Sequence, residues 1–267
     1  MTKDAATGKV SNGTSRVAKC LRNDRLAVVW DMDGVIVDTG EYHFRAWKKA
    51  CKEKGIAFDE QDFKRTFGMR NPEILRYLLE ERTRAPGKSL RPPTPRAPHT
   101  GLDSQEDLMN SLKAEVSENK ERYYREFVTG NVVPLPGAVE LLKSLREAGF
   151  RQALATSSPT QNVDLVMNSL GIRQFFQAVV SEKDVKAGKP DPEIFLTAAA
   201  RIKIEAACSL VIEDSVAGVA AAKQAGMSCV AVSNTHDPER LREADLVVNS
   251  LIRLNVESIK AILQAKS

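Results

Sequence analysis

The chain has 267 residues, 42% of them hydrophobic, and a formal net charge of +4 at pH 7. This length suffices for one large domain, or for one domain with a smaller insert, and the apolar content suffices for a buried core. No apolar run approaches the roughly 20 residues that span a bilayer, which excludes a membrane-spanning helix and predicts a protein with no membrane partner.

The N-terminus and the cysteines bear on where the protein resides. The first 24 residues are predicted to form a flexible polar tail, and their Ser, Thr and Lys leave a targeting segment open, although Asp4 argues against a transit peptide. The widely spaced cysteines predict neither a zinc site nor a disulfide framework, so a reducing, cytoplasmic location is expected. They are Cys20, Cys51, Cys208 and Cys229.

The first predicted strand is LAVVWD, residues 26–31, a short apolar run that ends in an acid. Asp31 and Asp33 come directly after the apolar residues and are followed by Gly34. Such a run is typical of a strand buried on both faces. The sequence therefore places carboxylates at the end of a buried strand.

Residues 41–129 are predicted to form a helical cap inserted after this strand. EYHFRAWKKACKEKG, NPEILRYLLEER and SQEDLMNSLKAEVSENKERYYREFV have helical patterns, and a proline-rich basic insert at 82–104 separates the second from the third. Its prolines predict an extended loop or linker. Since five basic residues and no acid lie within 82–100, the rest of the chain is close to neutral and no nucleic-acid partner is expected.

From residue 130 onward, predicted strands and helices alternate. The strands are RQALATS (151–157), SLVIED (209–214), SCVAV (228–232) and DLVV (245–248), and the helices span 137–149, 162–171, 192–202 and 217–226. This alternation predicts an α/β fold with a parallel sheet and right-handed crossovers. Residues 25–40 and 130–267 would form the α/β core, and the cap would cover the edge where such sheets bind ligands.

Acidic and hydroxyl side chains are predicted to converge at that edge. Asp31 ends the first strand, Thr156 and Ser157 end the second, and Glu213 and Asp214 end a later one. The carboxyl ends of parallel strands share one edge of the sheet. Because clustered carboxylates repel one another and oxygen ligands favour Mg²⁺, the sequence predicts a magnesium site there.

Lys189 is expected to lie beside these acids. It stands in AGKPDPEIF, where Asp191 is suited to cap the following helix and Pro190 and Pro192 restrict the loop. A lysine next to the carboxylates would offset the charge of an anionic substrate, and aspartate accepts phosphoryl groups beside Mg²⁺. The predicted chemistry is phosphoryl transfer on a small phosphorylated metabolite.

Four motifs, in this order, resemble those of the haloacid dehalogenase superfamily: DMDGVIVDT, ATSS, GKPDPEIF and VIEDSVAG. EYHFRAW is similar to the same stretch in the β-phosphoglucomutase branch. Four motifs in order are far more specific than any one of them. The resemblance implies a Rossmann-like doubly wound parallel sheet with an inserted all-helical cap.

By this resemblance, Asp31 is the nucleophile that becomes an aspartyl-phosphate. Asp33 would protonate the leaving oxygen and later deprotonate the incoming one, and its backbone carbonyl would ligate Mg²⁺. Thr156 would hydrogen-bond to the transferring phosphoryl group, with Ser157 or Ser158 as helpers. The second aspartate disfavours dehalogenases and phosphonatases, which the superfamily also contains.

The same resemblance implies how charge is balanced. Lys189 would neutralise charge on the phosphoryl group and on Asp31. Asp214, with Glu213 directly or through water, would complete the metal shell begun by Asp31 and Asp33.

Three cap residues would bind the substrate, again by resemblance. Arg70 would reach a second, non-transferring phosphate, Lys120 would help to anchor the substrate, and His43 would couple cap closure to Asp33. The remaining histidines, His99 and His236, are expected at the surface.

Closure of the cap requires hinges where the chain leaves and re-enters the core. These are predicted near 39–41 and 129–134, where Gly40 and Gly130 suit the purpose.

Three functions remain open. They are a sugar-phosphate phosphatase, in which water attacks the aspartyl-phosphate; a β-phosphoglucomutase that converts β-glucose 1-phosphate to glucose 6-phosphate; and a catalytically inactive binding protein. EYHFRAW, Arg70 and Lys120 favour the mutase, whereas the insert at 82–104 and the lack of a basic residue after the serines of ATSSPT favour the phosphatase. We predict a phosphatase that acts as a monomer.

Overall fold

The computed structural model describes residues 25–81 and 105–265. The predicted tail, the proline-rich insert and His99 lie outside these ranges. None of the helices in the described ranges has the length and apolar character that crossing a bilayer requires.

Within the described residues, six parallel strands form one sheet in the order β3-β2-β1-β4-β5-β6. The strands are β1 (Ala27–Trp30), β2 (Arg151–Ala155), β3 (Ala178–Val180), β4 (Ser209–Glu213), β5 (Ser228–Val232) and β6 (Leu246–Val248). All five pairings between these strands are parallel, which confirms the parallel sheet predicted by the alternation of strands and helices. The strand β3 was not predicted from sequence, although β6, which is equally short, was.

Helices cover both faces of the sheet. They are α5 (Ala138–Glu147), α6 (Thr160–Leu170), α7 (Glu193–Arg201), α8 (Val216–Gln224) and α9 (Val256–Ala265). Because successive strand residues point to opposite faces, Val28 and Trp30 pack with α5, α6 and α9, whereas Ala27 and Val29 pack with α7 and α8. This arrangement confirms the predicted doubly wound α/β fold.

The cap lies between β1 and β2 and is helical. It contains α1 (Gly40–Glu53), α2 (Glu60–Thr66), α3 (Asn71–Arg76) with a π-helical turn after it (Tyr77–Glu81), and α4 (Gln105–Val128). Trp47, Cys51, Leu75 and Tyr124 contribute to a separate hydrophobic core in which α1 packs against α4. The cap can therefore bury its apolar surface largely within itself.

Two expectations about single residues were wrong. His236 is buried, not exposed, and its Nδ1 lies 3.3 Å from a guanidinium nitrogen of Arg240. Cys208 is disulfide-bonded, whereas the cysteine spacing predicted no disulfide framework. Cys51 and Cys229 are free and buried.

Candidate active site

The first predicted strand delivers Asp31 to the carboxyl edge of the sheet. The Asp31 amide donates to the carbonyl of Ile212 in β4 at 3.0 Å, so Asp31 continues the β1–β4 pairing by one residue. Lys189 Nζ donates to Asp31 Oδ1 at 2.7 Å and also to Glu213 Oε1. The predicted nucleophile, the predicted lysine and one predicted metal ligand thus meet at the ends of β1 and β4.

Lys189 is 2% exposed and lies between two carboxylates. Although burial opposes its charge, Asp31 and Glu213 raise the pKa of Lys189 above its ordinary value. The aromatic ring of Phe195 lies 5.0 Å from Nζ on another side. Asp191 accepts a hydrogen bond from the Glu193 amide at 2.9 Å, as expected of a residue that caps α7. The loop therefore holds a fully charged lysine against the acids.

Glu213 is held by more than Lys189. Its Oε2 accepts hydrogen bonds from the amides of Asp214 and Ser215, both at 2.7 Å, and from the Ser215 hydroxyl at 3.0 Å. A Cβ on Gly218 would come within 1.9 Å of Glu213 Oε1, so only glycine allows this close approach at the start of α8. Both oxygens of Glu213 are thereby occupied by protein donors.

Asp214 differs from Glu213 in having a free oxygen. Its Oδ2 accepts from the Thr235 hydroxyl, whereas Oδ1 is buried with no hydrogen-bond partner among the described residues. A Cβ on Gly34, whose φ is +81°, would lie 1.8 Å from Oδ2. The glycine after Asp33 therefore lets the first loop close onto this carboxylate.

These three acids fit a divalent cation. Asp31, Glu213 and Asp214 each offer an oxygen, and these oxygens lie within 4.8 Å of one another. Burial raises the pKa of Asp31 to about 7 although Lys189 lowers it, and burial, together with Glu213 and Asp31, raises the pKa of Asp214 well above its usual value. Mg²⁺ binds hard oxygen ligands such as these. It would supply the positive charge that the acids lack and would give the unpartnered oxygen a partner.

Asp33 sits in a dense set of donors. Its Oδ1 lies 2.5 Å from Thr39 Oγ1 and 3.2 Å from His43 Nε2, and Ser158 Oγ donates to Oδ2 at 2.6 Å. Tyr124 stacks on the His43 ring at a centroid distance of 4.0 Å, and its hydroxyl lies 3.4 Å from Oδ1. Although burial acts in the opposite direction, His43 and the hydrogen bonds lower the pKa of Asp33 below its usual range. Cap and core residues thus converge on one carboxylate.

The hydroxyl motif after β2 lies at the same edge. The Thr156 amide donates to the Val180 carbonyl at 3.0 Å, which makes β3 the element that fixes this turn. Thr156 Oγ1 accepts from the Ser158 amide at 3.1 Å, and Ser157 Oγ is buried without a partner among the described residues. An unpartnered buried hydroxyl beside Asp31 is available to an incoming ligand.

A pocket separates this edge from the cap. Its core side is lined by Asp31, Asp33, Thr156, Ser157 and Ser158, and its cap side includes His43, Trp47, Asn71, Lys120 and Glu121. All of these core residues, together with His43 and Lys120, were predicted from sequence to lie in the site.

Arg70 is not among the residues that line the pocket. Its guanidinium is paired with Glu73 and approaches the carbonyls of Val185, at 3.5 Å, and Lys186, at 3.1 Å. The neighbouring residue, Asn71, faces the pocket instead. This position does not support the expectation that Arg70 binds a second phosphate.

Several site residues were missed by sequence reasoning. They are Thr39, Asn71, Glu121, Tyr124 and Thr235. Thr39 lies within the motif DMDGVIVDT, so a signal existed; Glu121 follows Lys120 on a helix, where adjacent residues do not normally face the same way, and nothing in the pattern marked it.

The chain is similar to known proteins in sequence and in fold. A family model described as haloacid dehalogenase-like hydrolase matches residues 28–232. The chain is 34% identical to a β-phosphoglucomutase of Bacillus subtilis over 86% of this chain and 92% of that protein. It is 31% identical to a phosphorylated carbohydrates phosphatase of Thermotoga maritima over 83% and 92% of the two chains. A crystal structure of β-phosphoglucomutase from Clostridium difficile superposes with a TM-score of 0.73 at 29% identity, covering 90% of this chain and 97% of that one.

Proposed function

The chain belongs to the haloacid dehalogenase-like hydrolase family, and on that premise we propose that it is a Mg²⁺-dependent phosphatase of sugar phosphates. The similarity to a phosphatase of phosphorylated carbohydrates supports the substrate class. A cytoplasmic, monomeric enzyme with a core of residues 25–40 and 130–267 and a cap of residues 41–129 is part of the same proposal.

In the first half-reaction, the Asp31 carboxylate attacks the phosphorus of the substrate and displaces the sugar oxygen. Lys189, 2.7 Å from Asp31 Oδ1, offsets the negative charge that accumulates as the dianionic phosphoryl group approaches. Asp33, after taking up a proton from solvent, gives this proton to the departing oxygen, and Thr156 and the free hydroxyl of Ser157 hydrogen-bond to the phosphoryl oxygens. The products of this half-reaction are the free sugar and an aspartyl-phosphate.

In the second half-reaction, water attacks the aspartyl-phosphate and Asp33 removes its proton. The Thr39, His43 and Ser158 contacts hold Asp33 as a carboxylate, the form that accepts a proton. Inorganic phosphate leaves, and Asp31 is regenerated.

Mg²⁺, held by Asp31, the Asp33 carbonyl and Asp214, would neutralise charge on the phosphoryl group when bound. Because both oxygens of Glu213 have protein partners, Glu213 would act by positioning Lys189 or through a bridging water.

One observation supports hydrolysis over a mutase reaction. A phosphomutase holds a bisphosphate and must bind its second phosphate in the cap, but Lys120 there is already paired with Glu121 at 2.6 Å, and Arg70 is paired with Glu73 and is not among the residues that line the pocket. In the described part of the cap, the pocket therefore offers a second phosphate no uncompensated cation.

A β-phosphoglucomutase is the second candidate. The contact of His43 with Asp33 favours it, because this contact joins the cap to the acid–base group and would couple closure to catalysis. The similarity to the Bacillus subtilis enzyme points the same way.

The two functions are separated by their products. The purified protein with Mg²⁺ would be given β-glucose 1-phosphate and a trace of glucose 1,6-bisphosphate, with Asp31→Asn as control, and free phosphate and glucose 6-phosphate would be measured separately. Free phosphate from several sugar phosphates is expected. Glucose 6-phosphate without free phosphate would overturn the proposal.

A further inference from the structure

The cap side of the pocket contains a buried ion pair. Lys120 and Glu121 are 3% and 7% exposed, Lys120 Nζ lies 2.6 Å from Glu121 Oε1, and both residues line the pocket. Nζ also lies 5.6 Å and 5.5 Å from the ring centres of Trp47 and Tyr124. Glu121 therefore neutralises the charge of this lysine at short range, and aromatic rings lie beside the pair.

Glu121 is fixed from several directions. Besides Lys120, its Oε1 accepts from Asn71 Nδ2 at 2.9 Å, and its Oε2 accepts from Asn162 Nδ2 at 2.6 Å. Asn71 belongs to the cap and Asn162 to helix α6 of the core. Although burial acts in the opposite direction, Lys120, His43 and Asn71 lower the pKa of Glu121, so the carboxylate is charged at neutral pH.

Other charges nearby do not change the balance in favour of an anion. Burial and, after it, Glu121 raise the pKa of the nearby Glu182. Arg70 is paired with Glu73, Arg125 donates to Asn162 Oδ1 at 3.3 Å, and neither arginine is among the residues that line the pocket. The two ionised cap residues that line the pocket, Lys120 and Glu121, thus cancel each other's charge.

We infer that Glu121 is a specificity-determining residue that restricts the enzyme to substrates with a single phosphate. The inference rests on the proposed hydrolase function and deepens it. When the phosphate of a phosphorylated polyol lies at Asp31, the polyol would present neutral hydroxyls to Glu121 and Asn71. The Glu121 carboxylate can accept hydrogen bonds from these hydroxyls, and the Asn71 amide can donate hydrogen bonds to them. A second, dianionic phosphate at the same place would be repelled by the fixed Glu121 carboxylate. Lys120 would offer it little attraction, because Glu121 already neutralises the charge of this lysine.

The test compares the selectivity of wild type and Glu121→Gln. The ratio of kcat/KM for glucose 1,6-bisphosphate to kcat/KM for glucose 6-phosphate would be measured for both proteins, with phosphate release as the readout. Removing one negative charge about 5 Å from a phosphate in a partly desolvated site is expected to raise this ratio about 10- to 100-fold. The matched control is Glu126→Gln on the same helix, which removes an exposed carboxylate paired with Arg122 and should leave the ratio unchanged.

Binding gives a second readout that does not depend on turnover. Affinity for glucose 1,6-bisphosphate would be measured by calorimetry in Asp31→Asn and in Asp31→Asn/Glu121→Gln. The second protein is expected to bind the bisphosphate more tightly by the same factor. If Glu121→Gln does not fold, as judged by thermal unfolding, Asn71→Lys replaces it, since a second cation at the same carboxylate frees Lys120 and should shift the ratio in the same direction.

A ratio in these variants within about threefold of wild type, less than 1 kcal/mol, would overturn the role of Glu121. That outcome differs from failure of the proposed function, which would show in wild type as glucose 6-phosphate formed without free phosphate.

Discussion

At the scale of single residues, the arrangement around Asp33 determines when it can accept a proton. Thr39, His43 and Ser158 all contact its carboxylate, and they lower its pKa despite burial. A carboxylate with a lowered pKa stays ionised until the pH falls well below the usual range of aspartate. Hydrolysis of the aspartyl-phosphate should therefore persist into acidic conditions.

Thr39→Val should move the acid limb of the pH–rate profile toward neutral pH. The substitution removes a hydroxyl that lies 2.5 Å from Asp33 Oδ1, so the pKa of Asp33 rises and the base becomes protonated at a higher pH. The measurement is kcat between pH 4 and 8 with saturating substrate and Mg²⁺. Thr39→Ser, which keeps the hydroxyl, is the control; identical profiles for the two variants would contradict the role given to this contact.

The metal-free protein should become less stable as pH rises from about 4 to 7. Burial raises the pKa of Asp31 from 3.8 to about 7, so the folded state holds a proton that the unfolded chain has released, and the free energy of unfolding falls with pH over that window. Mg²⁺ should accordingly raise Tm more at pH 8 than at pH 5, where the carboxyls must first lose protons. Thermal unfolding with EDTA and with Mg²⁺ at both pH values measures this difference, and equal increments would argue against a metal at these carboxylates.

The acids at the sheet edge were predictable from sequence, whereas the cap side of the pocket was not. Each of three residues, Asp31, Thr156 and Asp214, follows an apolar strand. Because the strands are parallel, their carboxyl ends all lie at the same edge of the sheet. Arg70 and Asn71 stand at the start of a helix, where the path of the preceding loop decides which of two neighbours faces the pocket. No sequence pattern encodes that path.

At the scale of elements, Arg70 connects the cap to the loop that carries Lys189. The guanidinium is paired with Glu73 of α3 and lies within 3.1 Å of the Lys186 carbonyl, three residues before Lys189. A Cβ on Gly188 would lie 2.6 Å from Arg70 Nε, so the loop backbone and the arginine are in close contact. Through Arg70, the position of the cap is therefore coupled to the position of Lys189.

Arg70→Ala should lower kcat about 10-fold, because a catalytic group displaced by a fraction of an ångström loses much of its effect. Lys189 would lose part of the support of its loop, and the cap one of its contacts with the core. The control is Arg76→Ala on the same cap segment, whose exposed pair with Glu81 does not touch the core. Steady-state kinetics that do not distinguish the two variants would exclude a positioning role for Arg70.

The exit from the cap contains the glycine that was predicted as a hinge. Gly130 has a φ of +77°, whereas Gly40 is the first residue of α1 and needs no such conformation. Gly130→Pro should reduce turnover, since proline fixes φ near −65° and forces the chain after α4 onto another path. Gly130→Ala is the milder comparison, and a proline variant that turns over at the wild-type rate would place the hinge elsewhere.

The elements themselves were predicted best where they are long or regular. The strands β1, β2, β4 and β5 and the helices that separate them follow from alternating apolar runs, and the register Trp30 to Ile212 then fixes the site. The short strand β3 was not predicted, although its Val180 carbonyl holds Thr156 in place. Its position depends on pairing with β2, which is a tertiary effect.

At the scale of the whole molecule, we propose that the sheet edge supplies the chemistry and the cap selects the substrate. The two parts meet at the His43–Asp33, Glu121–Asn162 and Arg70–Lys186 contacts. Such closure excludes bulk water and strengthens the electrostatic interactions inside. A hydrolase must still admit one water to the aspartyl-phosphate. Because the charges of the cap are paired with one another, the cap does not attract a second phosphate to the place of that water.

The most direct test of this account is the fate of the phosphoenzyme. A single turnover with radiolabelled sugar phosphate and Mg²⁺ would be quenched in acid and the label mapped by peptide analysis. We expect transient label on the peptide that contains Asp31, none in Asp31→Asn, and loss of the label to inorganic phosphate at a rate independent of added sugar phosphate. Label elsewhere in the chain, or label that persists until sugar phosphate is added and then transfers to it, would contradict a phosphatase that works through Asp31.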